Sequence, residues 1–170
     1  NSVMDIGALL DWIKTQPDLD AEKVFVYGGS YGGYMCLASM TNYNDRFRGG
    51  IDLFGISNFT TFLKNTSPYR VDLRRVEYGD ERVPAMSAVF DRISPINKIK
   101  NITKPMLIYQ GKNDPRVPLS ESEQMVDALK KQGNKVWYIM AKDEGHSLAK
   151  KANRDFVNKA IIAFIEENSK

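Results

Sequence analysis

The stretch Val24-Phe25-Val26-Tyr27-Gly28-Gly29-Ser30-Tyr31-Gly32-Gly33-Tyr34-Met35 constrains this chain more than any other. Four apolar residues in succession read as a buried strand, and a helical pattern follows. Between them Gly28, Ser30 and Gly32 stand in the spacing G-x-S-x-G. A strand-to-helix turn this sharp has no room for side chains at its flanks, and the serine inside it must take a strained backbone. The strain lifts the hydroxyl above the sheet, at the N-terminus of the next helix. There the helix dipole and free N–H groups favour negative charge, as on a tetrahedral intermediate. The competing reading is a glycine-rich turn that only joins strand to helix, so other residues must decide between the two.

The rest of the chain alternates strand and helix. Ile6, Leu9, Leu10 and Ile13 form one apolar helical face, and Pro17 ends that helix. Tyr34, Leu37, Ala38 and Thr41 give the helix after Ser30 its inner stripe, with the single cysteine, Cys36, on the same apolar side as a small buried hydrophobe. Gly50–Phe54 reads as a second strand. Residues 55–83 mix aromatic and polar residues without a clean period, which predicts helical pieces and loops over the top of the sheet. Pro84 opens a helix with Met86, Val89, Phe90 and Ile93 on one face. Strands follow at Pro105–Gln110 and Val136–Met140. Between them Ser120 and Glu123 read as a capping box and Gly133 as a helix stop. The last helix is expected to bury Val157, Ala160, Ile161, Phe164 and Ile165. This pattern predicts an α/β fold, a parallel sheet of about four strands with helices on both faces.

A serine hydroxyl is a weak nucleophile at neutral pH; it needs an adjacent base, and the base needs a partner to hold it. His146 is the only histidine in the 170 residues, and it falls just past the fourth strand. The partner has three candidates: Asp114 in the loop after the third strand, and Asp143 and Glu144 beside the histidine. Asp114 is better placed, because loops at the carboxyl ends of parallel strands converge on one crevice. Asp143 would have to fold back on itself. The order Ser30, Asp114, His146 is that of α/β-hydrolases. Other chemistry is not signalled. One cysteine allows neither an internal disulfide nor a thiolate metal cluster, and no metal or cofactor is expected. The net charge of +3 is small, its basic pairs are scattered, and no nucleic-acid footprint is present. No apolar run approaches the ~20 residues that span a membrane.

Gly28-Gly29-Ser30-Tyr31-Gly32-Gly33-Tyr34 resembles the nucleophile segment of the prolyl oligopeptidase family of serine peptidases, which includes dipeptidyl and acylaminoacyl peptidases. Gly111-x-x-Asp114-x-Arg116-Val117-Pro118 is similar to that family's acid loop, and Glu144-Gly145-His146 to its histidine loop, with Asn153-Arg154 following. The resemblance runs through essentially the whole chain. It implies an α/β-hydrolase fold and an acyl-enzyme on Ser30 formed from short peptide substrates. His146 would carry the proton and Asp114 would orient it. It further implies an oxyanion donor at the Tyr31 N–H, with the Tyr31 side chain walling the pocket. Val117 and Phe62 would be further walls, although core packing explains them nearly as well. Arg116 matches an arginine that holds a substrate carbonyl in some members, or is a surface arginine. Gln110 stands where many members have histidine, a difference that carries no implied catalytic consequence.

The family also carries a β-propeller and the first half of the hydrolase sheet ahead of this region. The resemblance therefore implies the C-terminal part of a catalytic domain, with a second oxyanion donor outside the chain and weak activity in isolation. An esterase or lipase on the same fold, and a non-catalytic interaction piece, remain alternatives. Without its first half, the sheet would expose Val24–Tyr27 as an edge that is apolar, uncharged and free of proline. That predicts self-association, by edge pairing or by exchange of the helix around Ile6–Ile13, unless this helix folds over the edge.

Overall fold

Four strands pair side by side in the order in which they occur, every neighbour parallel. A computed structural model describes residues 2–170 of the chain. The strands are β1 (Phe25–Gly29), β2 (Gly49–Leu53), β3 (Met106–Gly111) and β4 (Val136–Ala141). The helices are α1 (Ser2–Ile13), α2 (Tyr31–Tyr43), α3 (Phe59–Asn65), α4 (Pro68–Tyr78), α5 (Pro84–Ile93), α6 (Leu119–Lys131) and α7 (Lys151–Asn168). Short 3₁₀ turns lie at Asn44–Arg46 and Pro95–Asn101. Parallel neighbours need a crossover between them, and helices supply it. Among the described residues, no helix is long and apolar enough to cross a membrane.

The period-two alternation of the central strands sorts the core into two layers. Met106 and Ile108 point to one face, where Leu10, Leu37, Met40, Met125 and Leu129 of α1, α2 and α6 meet them. Ile51, Leu53, Leu107 and Tyr109 point to the other, against Val157 and Phe164 of α7. A third cluster, Tyr34, Phe59, Phe62, Leu63, Phe90 and Val117, joins α2, α3, α5 and the loop after β3. The stretch 55–83 thus forms helical pieces, α3 and α4, as its aromatic content suggested.

Four expectations need correction. β1 is half-buried, not fully buried, and Tyr27 is exposed, because β1 lies at the sheet edge and pairs only with β2 among the described residues. α7 buries only Val157 and Phe164; Ala160, Ile161 and Ile165 are half-covered. Ile161 and Ile165, with the exposed Ile162, flank an open apolar hollow beside Phe25 and Tyr27. The capping box at Ser120 does not form. α6 starts at Leu119 with Pro118 as its N-cap and no side-chain cap bond. Its first turn is held instead by the buried Glu121 carboxylate, which accepts the N–H groups of Ser57 and Asn58 at 3.1 and 2.8 Å. Leu9, placed on the inner face of α1, is exposed, and Gly7 and Leu10 make the contact.

Asp52 breaks the apolar pattern of β2. It points to the α2 side of the sheet and is 1% exposed. A Cβ on Gly33 would lie 2.4 Å from its Oδ1, and one on Gly55 2.3 Å, so glycine at both positions makes room for the carboxyl. Neither oxygen makes a full hydrogen bond. Burial pushes the carboxyl up to about 7, and the nearby Gly55 N–H offsets only part of that. The unfolded chain ionises Asp52 near 3.8 while the folded chain holds it neutral up to about 7. The folded state therefore binds the extra proton, and stability is highest below pH 4 for this group and falls as pH rises towards 7. The linkage is on the order of 4 kcal/mol at most. Asp52→Asn, which keeps the shape without the charge, is expected to remove this slope: its melting temperature should exceed that of the wild type by more at pH 8 than at pH 5. Parallel melting curves across that range would refute a neutral buried Asp52.

Candidate active site

Ser30 joins β1 to α2 at φ 59°, ψ −120°. Positive φ costs a residue with a side chain free energy, of order 1–3 kcal/mol, and the surroundings hold it. The Ser30 N–H donates to Leu53 O at 2.9 Å, and Ser30 O accepts the first helical bond, from Tyr34 N–H at 3.0 Å. A Cβ on Gly28 would sit 2.0 Å from Gly32 O. The strand can run into the helix only with glycine there. The N–H groups of Tyr31, Gly32 and Gly33 precede that first bond and have no acceptor within the helix. Serine at an N-cap ordinarily turns its hydroxyl onto such groups. Ser30 makes no cap bond; its Oγ faces His146 Nε2 at 2.9 Å.

His146 arrives from the loop after β4, and Asp114 from the loop after β3. The two loops meet backbone to backbone. Lys112 N–H donates to Ala141 O at 2.8 Å, and Asn113 N–H to Glu144 O at 2.9 Å. Gly111 is pressed so closely that a Cβ there would lie 2.1 Å from Gly145 O. This contact brings His146 Nδ1 to 2.7 Å from Asp114 Oδ2. The Asp114 side chain is fully buried and that of His146 is 9% exposed. Asp114 Oδ1 accepts the N–H groups of Arg116 and Val117 at 2.8 and 3.0 Å, so the loop's own backbone aims Oδ2 at the ring. A carboxylate at Nδ1 places the proton on that nitrogen and leaves the Nε2 lone pair directed at Ser30. The arrangement can take a proton from the serine hydroxyl and stabilise the resulting imidazolium.

The other two acids point elsewhere. Asp143 is exposed and pairs with Lys150 Nζ at 2.6 Å and Asn153 Nδ2 at 3.0 Å. Glu144 is buried and accepts the Lys150 and Asn153 groups at 2.8 and 3.0 Å. The Asn153 bond holds its carboxyl below the ordinary range. Glu144 thereby fastens the start of α7 to the histidine loop.

Of the implied substrate contacts, Tyr31 is at the surface beside Ser30, its ring stacked on Tyr78 with centroids 6.2 Å apart. Arg116 is exposed, and its carbonyl accepts from Thr66 Oγ1 at 2.9 Å. Phe62 and Val117 are buried in the third core cluster, behind Tyr34 and Tyr78. Two neighbours of the site were not read from the sequence. Tyr78 is one; its aromatic context was visible, its partner was not. Phe54 is the other. It has φ 46°, an uncommon value for a bulky residue, and its ring lies 4.6 Å from the His146 ring. It closes one side of the imidazole against water, and only the turn at the end of β2 reveals it.

Known proteins resemble both the sequence and the structure. The model of the Prolyl oligopeptidase family matches residues 1–170. Dipeptidyl aminopeptidase BIII of Pseudoxanthomonas mexicana is 34% identical over 166 residues, 96% of this chain and 24% of that protein. Dipeptidyl peptidase family member 6 of Caenorhabditis elegans is 36% identical over 167 residues, 96% of this chain and 23% of that protein. Among solved structures, a Mycobacterium tuberculosis puromycin-hydrolyzing peptidase superposes with a TM-score of 0.89 at 26% identity, over 98% of this chain and 25% of its own. This chain therefore spans about a quarter of the length of the relatives it matches. With its parallel sheet, its strained serine turn and a match from end to end, the chain belongs to the prolyl oligopeptidase family.

Proposed function

We propose that this chain is the C-terminal part of a serine peptidase catalytic domain that cleaves short peptides through an acyl-enzyme on Ser30. The observation that carries the reading is the unbroken line Ser30 Oγ, His146, Asp114 at 2.9 and 2.7 Å. Ser30 Oγ attacks the scissile carbonyl carbon while Nε2 of His146 takes its proton. The oxyanion forms at the N-terminus of α2, where the Tyr31 N–H donates to it. His146 then returns the proton to the leaving amine, and water, deprotonated by the same imidazole, releases the acyl group. Asp114 orients the imidazole and stabilises the imidazolium each time it forms. The Tyr31 ring forms the near wall of the pocket, Phe62 and Val117 back it, and Arg116 reaches a substrate carbonyl.

In the full-length parent protein, Ser30→Ala and His146→Ala are each expected to remove most of the rate, because nucleophile and base act as one unit. Asp114→Asn should be severe through the wrong imidazole tautomer, and Asp143→Asn mild. Peptide amides and p-nitrophenyl esters, assayed side by side, read these losses. Near-native turnover in His146→Ala would overturn the triad; turnover of esters alone would make the protein an esterase. Failure of a fluorophosphonate probe to label Ser30 would point to a non-catalytic role.

The second oxyanion donor lies outside this chain in our reading, and one lost donor costs roughly 10²–10³ in rate. The 170-residue chain alone is expected to turn over peptides at least about 10²-fold more slowly than its parent. Equal rates from chain and parent would refute the incomplete site.

The open edge of β1 and the hollow beside α7 favour self-association of the isolated chain. α1 packs on α2 through Gly7 and Leu10. Light scattering over a dilution series is expected to show a mass above that of the monomer at high concentration. A constant monomer mass with cooperative melting would refute association.

A further inference from the structure

Gln110, next to last in β3, is fully buried, with no access to solvent. Its Nε2 donates to Asp114 Oδ2 at 3.2 Å and to Val117 O at 3.1 Å, with a longer contact to Gly111 O at 3.3 Å. Its Oε1 accepts the Ser122 hydroxyl of α6 at 2.8 Å. The amide has one workable orientation. Reversed, it would set an oxygen against a carboxylate and two carbonyls, none of which can donate. Asp114 Oδ2 therefore receives two donors, the imidazole Nδ1–H and the Gln110 amide.

We propose that Gln110 is a positioning residue for the acid of the triad, anchored by Ser122, and that it keeps the charge beside Asp114 constant with pH. This rests on the Ser30–His146–Asp114 reading above. Two consequences follow from the geometry. First, the amide fixes the rotation of the carboxylate, so that Oδ2 stays within hydrogen-bond distance of His146 Nδ1. Second, a donor on Oδ2 draws off part of the negative charge that holds the imidazolium, so His146 gives up its proton more readily in the second half of the reaction. A histidine at this position could take up a proton and add a charge within the working pH range. A glutamine cannot. The other charged groups packed nearby are turned away or neutral. Glu121 faces Ser57, Asn58 and Thr61, Glu144 faces the start of α7, Asp143 pairs with Lys150, Arg116 is exposed, and Asp52 is held protonated up to about 7.

Because His146 is the only histidine, proton NMR of the 170-residue chain reads its ring without ambiguity and without any need for activity. Two variants are followed across pH: Gln110→Met, which removes the donor at similar volume, and Ser122→Ala, which releases the anchor. The His146 C2–H titration is expected to move to higher pH in both. The displacement should be larger for Gln110→Met, which loses the donor outright, than for Ser122→Ala, which only loosens it. Ser122→Ala carries the test if Gln110→Met fails to melt cooperatively. Folded variants whose His146 signals match the wild type would overturn the proposal, even if their melting temperatures fall, since that is what a purely structural glutamine does. Asp114→Asn separates the two readings. If it leaves the His146 signals unchanged, the triad itself is wrong; if it moves them while the Gln110 and Ser122 variants do not, only the role of Gln110 is.

Discussion

Close approach of backbone to backbone at three glycines is the constraint on which this site depends. At Gly28 the strand runs against the carbonyl of Gly32, at Gly33 the helix runs against Asp52 and Gly55, and at Gly111 the acid loop runs against Gly145. Each contact is too short for a Cβ atom. The first two set the angle at which α2 leaves β1, and with it the direction of the Ser30 hydroxyl. The third sets the separation of the loops that carry Asp114 and His146. A methyl group at any of them would push apart parts that lie within hydrogen-bond distance, and a displacement of ~1 Å is enough to break the line from Ser30 through His146 to Asp114.

The acids near the site divide their work by where their lone pairs are used. Asp114 is saturated by two backbone N–H groups, one amide and one imidazole, so it is held in place and aimed. Glu144 spends its oxygens on the first turn of α7, Glu121 on the start of α3, and Asp143 on a surface lysine. Asp52 stands apart as a carboxyl with no full hydrogen bond, held neutral by burial. A buried carboxyl in that condition weakens the fold as pH rises, and it lies directly beneath the nucleophile turn.

The two edges of the sheet are not equivalent. β2 and β3 are buried throughout, whereas β1 and β4 are half-covered. On the β1 side the exposed Tyr27 and Ile162 continue the apolar surface of α7 outward. The site therefore sits at the carboxyl end of an edge strand, next to apolar surface that other protein can cover. The aromatic layer of Tyr31, Tyr34, Phe59 and Tyr78 lies on the opposite flank, formed by α2, α3 and α4.

By itself, the sequence determined the order of elements and the parallel sheet, and it singled out Ser30 and His146 as candidates. Those follow from local patterns: an apolar run, a glycine spacing, a helical stripe, and one histidine with no competitor. It favoured Asp114 as the partner of His146, although Asp143 and Glu144 also lie within reach along the chain, and the pairing of β3 with β4 is what brings Asp114 to 2.7 Å from His146 Nδ1. The sequence did not place Phe54 on the imidazole or Gln110 on the acid. Those contacts join residues whose neighbours in sequence say nothing about them. The capping box at Ser120 and the full burial of α7 were misread for the same reason: a buried glutamate from the third dimension replaced the cap, and a helix face is covered only as far as the sheet extends beneath it.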